Sequence, residues 1–538
     1  MTKDFPIRPR IASVAGTDSG GGAGLSADQR AAQAFDAQLC PVVAAVTAQH
    51  SRAVRHVEAL SPALLQAQLD ALAEDLPPAA LKTGLLGSAA NARVLARWVD
   101  VQRHHQPDLA LVVDPVLRAS TGAPFADADL LAAYRDELLP RATLVTPNRR
   151  EAAALLGQPD EAEPDALSAQ AAALRALGAQ AVLLTGGDAL DETQALDWLD
   201  SPQARGGLAH PRIITPHNHG TGCTLATAAA AALARGFPVA DAAVLAKLLT
   251  THALRQAGPQ GAGAGPVWAT PGWGQPGATL PTLGWDALPP AASEAPAPPA
   301  FAPGLYGIVD SAEAALALLR QPGLPLRHLQ LRCKAPPTGA DAAWHAALAD
   351  TIRRCLPVAE AAGVTLWVND HWETALAAGA RALHLGQEDW AGLSPAQRRR
   401  LQQARAREGV ALGLSSHSVW ELARAAGLRP SYIACGPVWP TTTKAMPWRP
   451  QGLDNLAWWA ALSPAPVVAI GGVLQPDQAR AAAAAGAHAV CLVRGLAGAT
   501  PQALQAWQQA WQEGRQPRPD SAPHAAPDWP HPSLAPTP

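Results

Sequence analysis

Two aspartates separated by a short helical stretch could hold a divalent metal ion. Asn369 and Asp370 follow the apolar, β-prone run 365–368, and Asp389 follows a second such run at 382–385. Two parallel strands joined by one helix would bring Asp370 and Asp389 to the same edge of a sheet. Magnesium usually takes one or two carboxylates together with substrate phosphate, so this edge is a candidate Mg²⁺ site. The alternative is that Asp370 caps a helix and Asp389 lies in a solvated loop.

Cations and hydroxyls follow other β-prone runs in the same half of the chain. Arg332 and Lys334 stand two positions apart in QLRCK, a spacing that points both side chains to one face. Arginine offers a planar fork and lysine a point charge, which together suit a diphosphate. GPVWPTTTK adds Thr441, Thr443 and Lys444, and IGGV offers glycine amides for a second phosphate. A lone basic pair is usually solvated surface, so the interpretation depends on the whole set.

Two glycine-rich stretches in the first half could bind anions. GTDSGGGAG, residues 16–24, joins a predicted strand to a predicted helix and would let backbone amides approach a substrate closely. In HGTGCT, residues 219–224, Gly220 and Gly222 would free amides at a helix N-terminus, a common anion site. Cys223 would lie at the positive end of the helix dipole, which predicts a lowered thiol pKa. The alternative is a glycine turn followed by a buried, inert cysteine.

The second half repeats a strand-then-helix pattern. Eight such repeats predict a (β/α)₈ barrel, in which working residues lie at the carboxyl ends of the strands. The polar residues described above fall at those ends. The predicted strands are 305–309, 328–331, 365–368, 382–385, 411–414, 432–435, 467–470 and 489–493.

The first half alternates strands and helices over residues 11–257, which predicts a mainly parallel sheet covered on both faces. Residues 258–303 are rich in Pro and Gly and are expected to form a structureless linker. The expected domains are therefore 1–257 and 304–515, with a Pro-rich, disordered tail at 516–538. The predicted strands of the first half are 11–15, 41–47, 81–85, 109–113, 143–146, 181–185 and 212–215.

Composition excludes several functional classes. The chain has 538 residues and a net charge of −3 with no basic stripe, so nucleic-acid binding is not expected. No apolar run is long enough to span a bilayer, and the N-terminus lacks an apolar signal segment. The six cysteines are scattered without metal-binding spacing, which favours a reduced compartment. These features predict a soluble, cytoplasmic protein.

Six stretches of the first half stand in order: AGTDSGGGAGLSAD, AAVTAQH, LKTGLLG, VVDPV, TPNRREA and HGTGCTLA. Together they resemble the hydroxymethylpyrimidine/phosphomethylpyrimidine kinases, which implies a ribokinase-like αβα sandwich over about residues 10–257. The resemblance implies that Asp18 and Gln49 bind the pyrimidine, and that Asn148 and Glu151 order Mg²⁺ and phosphate.

The same resemblance implies an anion hole at Gly220, Thr221 and Gly222. It also implies that Cys223 is catalytic, because it occupies the position where many relatives carry an aspartate base. Thr185 is a departure, since the family often has a lysine there, and the residues before HGTGC differ as well. Both departures concern the ATP site more than the type of reaction.

The motifs QLRCK, VND, HLGQED, GLSSH, GPVWPTTTK and AIGGV stand in order in the second half and resemble thiamine-phosphate synthase over about residues 304–512. The resemblance implies Mg²⁺ at Asp370 and Asp389, with Arg332 and Lys334 also acting in catalysis. The residues implied to bind the pyrimidine diphosphate are Gln330, Arg332, Lys334, Asn369, Ser415 and Lys444. Those implied to bind the thiazole phosphate are Thr441, Thr443 and Gly472. Val493 is a further expected substrate-binding residue, and Arg494, which replaces a frequent serine, would either add a cation near the thiazole phosphate or point away from it.

The two resemblances together imply a bifunctional enzyme of thiamine biosynthesis. The first half would phosphorylate 4-amino-5-hydroxymethyl-2-methylpyrimidine twice, with ATP as co-substrate, and the second would couple the diphosphate to thiazole phosphate. The alternative is a pyridoxal-type kinase fused to a non-catalytic barrel of the TenI kind, acting as regulator or tautomerase. Cys223 and Gln49 argue against the first part of that alternative, and the retained aspartates against the second. The expected partners are small molecules, and the sequence leaves a homo-oligomer open.

Overall fold

The computed structural model of the chain describes residues 8–118, 122, 125–159, 164–186, 193–290, 296–441, 447–516 and 526–534. The chain divides into two compact units. The first unit comprises residues 1–274 and 278–289, and the second comprises residues 275–277 and 290–538.

The first unit contains a ten-stranded sheet with the order β10-β9-β8-β7-β6-β5-β4-β1-β2-β3. Its centre, from β7 to β2, is parallel, and the strands outside it pair antiparallel. The strands are β1 (Arg10–Gly16), β2 (Gln38–His50), β3 (Ala53–Ala59), β4 (Ala80–Thr83), β5 (Ala110–Val113), β6 (Leu144–Val145), β7 (Val182–Leu184), β8 (Gln194–Asp200), β9 (Arg205–Pro211) and β10 (Thr282–Leu283).

Helices cover both faces of this sheet, which confirms the predicted αβα sandwich. Alternate residues of a strand point to opposite faces. Ala12 and Val14 of β1 join the core formed with α2 and α3, whereas Ser13 points to α1. The helices are α1 (Gly24–Ala34), α2 (Pro62–Asp75), α3 (Ala89–His105), α4 (Ala128–Ala133), α5 (Arg149–Leu156), α6 (Pro164–Ala176), α7 (Thr221–Ala234) and α8 (Val239–Arg255), with a π-helical turn, Tyr134–Leu138, following α4.

One predicted strand of the first unit is wrong. Residues 212–215 lie outside any strand, and Ile214 is 90% exposed. The strand is instead β9, whose glycines hid it from the sequence pattern. A Cβ on Gly206 would lie 2.5 Å from the carbonyl oxygen of Gly284, so β9 needs glycine where β10 and its turn approach.

The stretch 258–303 is not the structureless linker expected from its composition. It contains β10, which pairs with β9, and its residues 258–274 and 278–289 belong to the first unit. Trp273 is fully buried, packs on Phe35, and donates its indole N–H to the carbonyl oxygen of Ala34. Tryptophan burial against the domain outweighs the tendency of Pro and Gly to break regular structure.

The second unit contains a closed barrel of eight parallel strands, and all eight predicted strands are confirmed. Short apolar runs that are buried on both sides give a clear sequence signal. The strands are β11 (Gly304–Val309), β12 (Leu326–Leu331), β13 (Thr365–Asn369), β14 (Ala382–Leu385), β15 (Ala411–Ser416), β16 (Tyr432–Cys435), β17 (Val467–Ala469) and β18 (Ala489–Leu492).

Helices alternate with these strands, as a (β/α)₈ barrel requires. They are α9 (Ala312–Leu319), α10 (Ala342–Ala361), α11 (Trp372–Ala377), α12 (Gln387–Gly392), α13 (Pro395–Glu408), α14 (Val419–Gly427), α15 (Gly452–Leu462), α16 (Pro476–Ala484) and α17 (Pro501–Arg515). A 3₁₀ turn, Arg494–Leu496, follows β18.

Aromatic rings close one end of the barrel. Phe301, from the expected linker, stacks on His328 with ring centroids 4.0 Å apart and also contacts Tyr306, Trp367 and Tyr432. These partners lie in the amino-terminal parts of their strands, so Phe301 fills the floor of the barrel.

Part of the expected disordered tail is also folded. Among its described residues, Leu534 forms an antiparallel bridge with Trp448, and Ser533 is buried. The contacts of residues 526–534 replace the disorder expected there. Within the described residues, no helix is long and apolar enough to cross a membrane.

Candidate active sites

The glycine-rich loop after β1 is organised by Asp18. Its Oδ1 accepts a hydrogen bond from the amide of Gly20 at 2.8 Å, and its Oδ2 accepts from Gly22 and Ala23 at 3.0 and 2.8 Å. His219 Nε2 lies 3.0 Å from the same Oδ2. Burial raises the pKa of Asp18, but the bonds from His219, Ala23 and Gly20 outweigh it and leave the pKa below its usual value. The Asp18 carboxylate therefore holds the glycine-rich loop in place, in addition to any contact that it makes with a ligand.

His219 and Gln49 meet beside this carboxylate. Gln49 Nε2 is 3.3 Å from His219 Nε2, and the Gln49 backbone is held by Ser19, whose hydroxyl accepts from its amide at 2.8 Å. The sequence predicted Asp18 and Gln49 but did not single out His219, the first residue of HGTGCT. The sequence feature that could have identified His219 is an imidazole directly before a glycine turn.

The two glycine motifs touch each other. A Cβ on Gly220 would lie 2.3 Å from the carbonyl oxygen of Gly22, and Gly220 has a φ of +85°. Both the close approach and the left-handed backbone demand glycine. A Cβ on Gly222, by contrast, would meet no atom within 4 Å. Gly220 therefore joins the loops, while Gly222 leaves open space at the start of α7, beside Thr221.

The beginning of the expected linker completes this site. His219 donates its amide to the carbonyl oxygen of Gly265 at 3.1 Å and accepts at its own carbonyl from Val267 at 3.0 Å. Trp268 stacks on Arg30, whose guanidinium carbon lies 4.5 Å from the ring and whose Nη1 bonds to the glycine loop. Residues 265–268 thus hold both glycine motifs from outside.

A buried network of charges lies beneath the site. Lys82, fully buried in β4, contacts both oxygens of Asp28 at 3.1 and 3.2 Å and lies 3.8 Å from Asp114. Ser13 and Thr227 donate to Asp28 at 2.6 and 2.8 Å, which ties β1 and α7 to the same carboxylate. Burial raises the pKa of Asp114 to about 6, against the pull of Lys82. The sequence did not single out these residues, although a lysine inside an apolar strand was a signal.

The predicted low pKa of Cys223 is wrong. Burial raises the pKa of its thiol to about 12, and Asp28 and Asp114 add to the effect. Lys82 and a hydrogen bond from the amide of Gly24 oppose the shift but do not reverse it. Desolvation therefore dominates over the helix N-terminus, and the thiol stays protonated at neutral pH.

Asn148 and Glu151 form the capping box of α5. Asn148 Oδ1 accepts from the amide of Glu151 at 3.0 Å, and the amide of Asn148 donates to Glu151 Oε2 at 2.9 Å. Thr185 lies next to Asn148 in an isolated parallel bridge, at the carboxyl ends of β6 and β7. The sequence-predicted pair is therefore adjacent, and its backbone is fixed at the sheet edge where nucleotides bind in open α/β sheets.

Asp370 and Asp389 follow neighbouring strands of the barrel. Asp370 has a φ of +64°, a left-handed backbone that its amide supports by donating to the His384 carbonyl oxygen at 2.9 Å. The alternative that Asp370 caps α11 is wrong, because that cap is His371. Asp389 is exposed in the first turn of α12, where its Oδ2 accepts from the amide of Gly386 at 2.8 Å.

These two carboxylates are not part of a ready-made protein cage. No group of three His, Cys, Asp or Glu side chains in the described residues could hold a metal ion. An oxygen-only pair nevertheless fits Mg²⁺, which usually relies on few carboxylates and on substrate phosphate. The Mg²⁺ assignment therefore stays a prediction.

A continuous chain of neutral polar groups runs inside the barrel. Gln330 donates to the Tyr306 hydroxyl at 3.1 Å, which lies 2.7 Å from the Tyr432 hydroxyl. Tyr432 lies 2.7 Å from His384 Nδ1, and His384 Nε2 lies 3.0 Å from the Ser415 hydroxyl. Two predicted residues, Gln330 and Ser415, are the ends of this chain.

The histidine of this chain is held neutral. Burial lowers the pKa of His384 to about 4, and Asp389 opposes the shift while Arg332 adds to it. A neutral imidazole can donate at one nitrogen and accept at the other, as the two hydroxyl neighbours require. The sequence missed His384, whose signal was a polar residue within the buried run ALHL.

The predicted cations lie at the mouth of the barrel. Arg332 is half-buried and Lys334 exposed, both directly after β12, and Asn369 is buried at the end of β13. Of the predicted loop after β16, Thr441 is half-buried. The other two predicted residues of that loop, Thr443 and Lys444, lie outside the described residues.

The IGGV motif packs against the loop after β16. Trp439 donates its amide to the Gly471 carbonyl oxygen at 3.1 Å. Gly472 has a φ of +71°, and a Cβ there would lie 2.6 Å from the Trp439 backbone oxygen. Val493 and Arg494 begin the turn after β18, with Arg494 exposed. Glycine is thus required at 472 by the backbone, whether or not it binds phosphate.

Two family models match the chain in succession. The one described as phosphomethylpyrimidine kinase matches residues 18–268, and the one described as thiamine monophosphate synthase matches residues 305–496. The first match includes residues 258–268, in agreement with their place in the first site.

Named relatives match either most of the chain or about half of it. A probable thiamine biosynthetic bifunctional enzyme, chloroplastic, of Oryza sativa is 33% identical over 480 residues, covering 86% of this chain and 81% of the relative. A hydroxymethylpyrimidine/phosphomethylpyrimidine kinase of Synechococcus elongatus is 42% identical over 259 residues, covering 48% of this chain and 96% of the relative. Among solved structures, the ADP complex of Bacillus subtilis pyridoxal kinase aligns with a TM-score of 0.46 and 29% identity over 49% of this chain and 98% of that one.

Proposed function

The chain belongs to the family of bifunctional thiamine biosynthetic enzymes, which combine a hydroxymethylpyrimidine/phosphomethylpyrimidine kinase with a thiamine-phosphate synthase, and we propose how its residues divide that work. The first unit phosphorylates the pyrimidine alcohol and then its monophosphate with ATP. The barrel joins the diphosphate to thiazole phosphate.

In the first unit, we assign the pyrimidine to Gln49 and His219. Asp18 acts mainly by holding the glycine loop, because both of its oxygens already accept hydrogen bonds. The transferred phosphoryl group lies at the start of α7, where Gly222 leaves open space and the helix dipole favours an anion. Asn148 and Glu151 approach the nucleotide phosphates. Phosphoryl transfer depends on such positioning and on charge neutralisation rather than on covalent chemistry.

In the barrel, Gln330, His384 and Ser415 orient the pyrimidine ring, and Arg332 and Lys334 neutralise the diphosphate. The bond between the pyrimidine methylene carbon and the diphosphate oxygen breaks, and pyrophosphate leaves with the electron pair. This bond breaking leaves a pyrimidine-methyl cation. The thiazole nitrogen then forms a bond to the methylene carbon of that cation. The neutral hydrogen-bonded interior adds no positive charge that would oppose this cation.

Asp370 and Asp389 would hold Mg²⁺ at the mouth, where the metal would supply charge neutralisation for the leaving pyrophosphate. Thr441, Thr443 and Gly472 are the proposed contacts of the thiazole phosphate, and Lys444 is a further proposed contact of the pyrimidine diphosphate. The observation that supports the synthase assignment best is the position of the two aspartates on neighbouring strand ends, beside the inner polar chain.

We also infer a cytoplasmic location, with small molecules rather than nucleic acid or membrane as partners and a homo-oligomer left open. Support comes from the cysteines, all six of which are free. Cell fractionation with an antibody against the protein tests this; recovery in an organelle or envelope fraction would contradict it.

One assay tests both activities. The purified protein receives MgATP, the pyrimidine alcohol and thiazole phosphate, and thiamine phosphate is measured. Omitting ATP but supplying the pyrimidine diphosphate isolates the barrel, and omitting Mg²⁺ tests the metal. Pyridoxal in place of the pyrimidine tests the alternative kinase. Phosphorylation of pyridoxal in preference to the pyrimidine, or no thiamine phosphate from the diphosphate, would overturn the proposal.

A further inference from the structure

We propose that residues 526–534, near the end of the chain, are a positioning element of the synthase site that acts through Gln451. The inference rests on the proposed coupling activity. It assigns a role to a segment outside both family matches, the second of which ends at residue 496.

The segment is bonded to the stretch that follows the β16 loop. Leu534 forms an antiparallel bridge with Trp448, and the amide of Arg449 donates to the Ser533 carbonyl oxygen at 2.7 Å. His531 and Asn455 bond reciprocally: the His531 amide donates to Asn455 Oδ1 at 2.7 Å, and Asn455 Nδ2 donates to the His531 carbonyl oxygen at 3.0 Å. Three backbone groups of this short segment, the Ser533 carbonyl and the His531 amide and carbonyl, are thus paired with Arg449 and with Asn455 at the start of α15.

Gln451 is the hub of these contacts. It is fully buried, its carbonyl oxygen lies 2.8 Å from His531 Nε2, and its Oε1 accepts from Ser533 at 3.2 Å and from Asn455 at 2.8 Å. Buried polar groups of this kind are costly to leave without partners. The segment therefore completes the hydrogen bonding of Gln451, and no water is needed in its place.

The same glutamine reaches the catalytic face. Its Nε2 donates to the His417 carbonyl oxygen at 2.7 Å, and its amide donates to the Pro437 carbonyl oxygen at 2.7 Å. His417 lies two residues beyond Ser415, and its ring stacks on Trp448 at 5.4 Å. One residue thus links the ends of β15 and β16 to residues 526–534, through its side chain and its backbone.

The linked loop forms part of the proposed thiazole phosphate site. It contains Thr441, and its Trp439 backbone packs on Gly471 and Gly472. Contacts that hold the described residues on either side of this loop, 436–441 and 447–451, reduce the conformational entropy that substrate binding must otherwise overcome. Loss of the segment should therefore weaken binding of thiazole phosphate more than it slows the chemical step.

The test uses the full chain with His531→Ala combined with Ser533→Ala, which removes both side-chain bonds to Gln451. We expect KM for thiazole phosphate to rise by about tenfold or more, because small displacements of substrate-positioning groups have large effects. We expect kcat to change less than KM and pyrimidine phosphorylation to stay unchanged. Backbone amides 447–455 should exchange with deuterium faster, which a change of overall stability alone would not confine to this stretch.

Two further variants separate positioning from general stability. His531→Gln retains a donor toward the Gln451 carbonyl oxygen and should recover much of the lost KM. Arg480→Ala removes the ion pair between α16 and α17 and one within α16, and should leave KM unchanged. The inference would be overturned if the double variant kept a KM for thiazole phosphate within twofold of the unaltered protein. It would also be overturned if Arg480→Ala changed this KM by as much as the double variant does. Absence of coupling in the unaltered protein would overturn the proposed function itself, and this inference with it.

Discussion

The two units differ in where they keep their charges. The first unit buries a lysine between two aspartates directly beneath its site, with Lys82 fully enclosed. The barrel fills its interior with neutral groups, and its charged candidates, Asp389 and Lys334, are exposed at the mouth. Both arrangements face phosphate chemistry, so the chemistry alone does not dictate the placement.

The difference follows from what each scaffold must hold rigid. In the first unit, Asp28 receives bonds from β1, β4 and α7 and so fixes three elements around the glycine motifs. The barrel is already closed by its strands and needs no ionic tie. Its interior can therefore be reserved for orienting a neutral ring, while charge stays where the diphosphate enters.

The largest expected effect concerns the charges at the barrel mouth. Asp370→Asn and Asp389→Asn should each reduce coupling by about 100-fold or more, since preorganised charge at a leaving group has effects of that order. Asparagine also tolerates the left-handed backbone of residue 370, so the change isolates the charge. Coupling is measured with preformed pyrimidine diphosphate.

Asp350→Asn, on the exposed surface of α10, is the matched control and should leave coupling unchanged. Phosphorylation by the first unit should be unaltered in all three variants. Mg²⁺-dependent coupling at normal rates in both mouth variants would remove the metal assignment.

The second effect concerns the buried charges of the first unit. Lys82→Met should destabilise that unit by roughly 3–5 kcal/mol, because two carboxylates lose their buried partner. Phosphorylation per folded molecule should also fall, as Asp28 no longer holds β4 near the glycine motifs. Thermal unfolding and pyrimidine kinase assays measure the two results.

Lys247→Met provides the comparison. Lys247 is also buried, on α8, and its ion pair at 2.6 Å is with Asp197 of β8 rather than with a residue of the glycine motifs. It should destabilise the unit while retaining phosphorylation per folded molecule. Equal loss of activity in both variants would make Lys82 a purely structural residue.

The third effect is a pH dependence of the barrel's stability. Burial lowers the pKa of both His328 and His384 to about 4, whereas the unfolded chain binds these protons near pH 6.5. Between those values the unfolded state holds more protons, so barrel stability falls as pH falls. Each histidine should contribute a slope of about 1.4 kcal/mol per pH unit at most.

Hydrogen exchange of β12 and β14 amides, followed from pH 7 to pH 5, measures this slope. His384→Gln should reduce the slope by the contribution of one histidine, about 1.4 kcal/mol per pH unit at most. An unchanged slope in that variant would mean that His384 is protonated in the folded barrel.

The smallest expected effect is at Cys223. Burial raises the pKa of the half-buried Cys223 thiol to about 12, which disfavours a thiolate, so Cys223→Ser should reduce phosphorylation only a few-fold. Iodoacetamide at pH 8 should leave activity largely intact. A strong loss of activity, or rapid alkylation, would restore the cysteine as a base.

The sequence predicted the barrel well and the first sheet less well. Barrel strands such as Ala382–Leu385 are short, apolar and buried, so composition and position agree. The strand Arg205–Pro211 was missed because its glycines serve a close backbone approach, which only the folded chain reveals. The prediction that residues 258–303 are structureless was wrong for the same reason. Burial of tryptophans such as Trp273 stabilises a stretch whose Pro and Gly content predicts no regular structure.

Site prediction followed the same division. Motif residues such as Gln330 and Ser415 were found, but the residues between them, including His384, were not, because their role depends on burial. Cys223 illustrates the opposite error. A helix N-terminus can be read from sequence, whereas the desolvation that overrides it depends on residues distant along the chain.

Phe301 has a consequence for which end of the barrel substrates can use. Its ring stacks on His328 and lies against Tyr306, Trp367 and Tyr432, so side chains fill this end and reactants enter at the carboxyl ends of the strands. Pyrophosphate therefore has to leave by the route along which the next diphosphate arrives. Added pyrophosphate should then inhibit coupling by competing with the diphosphate for this entrance.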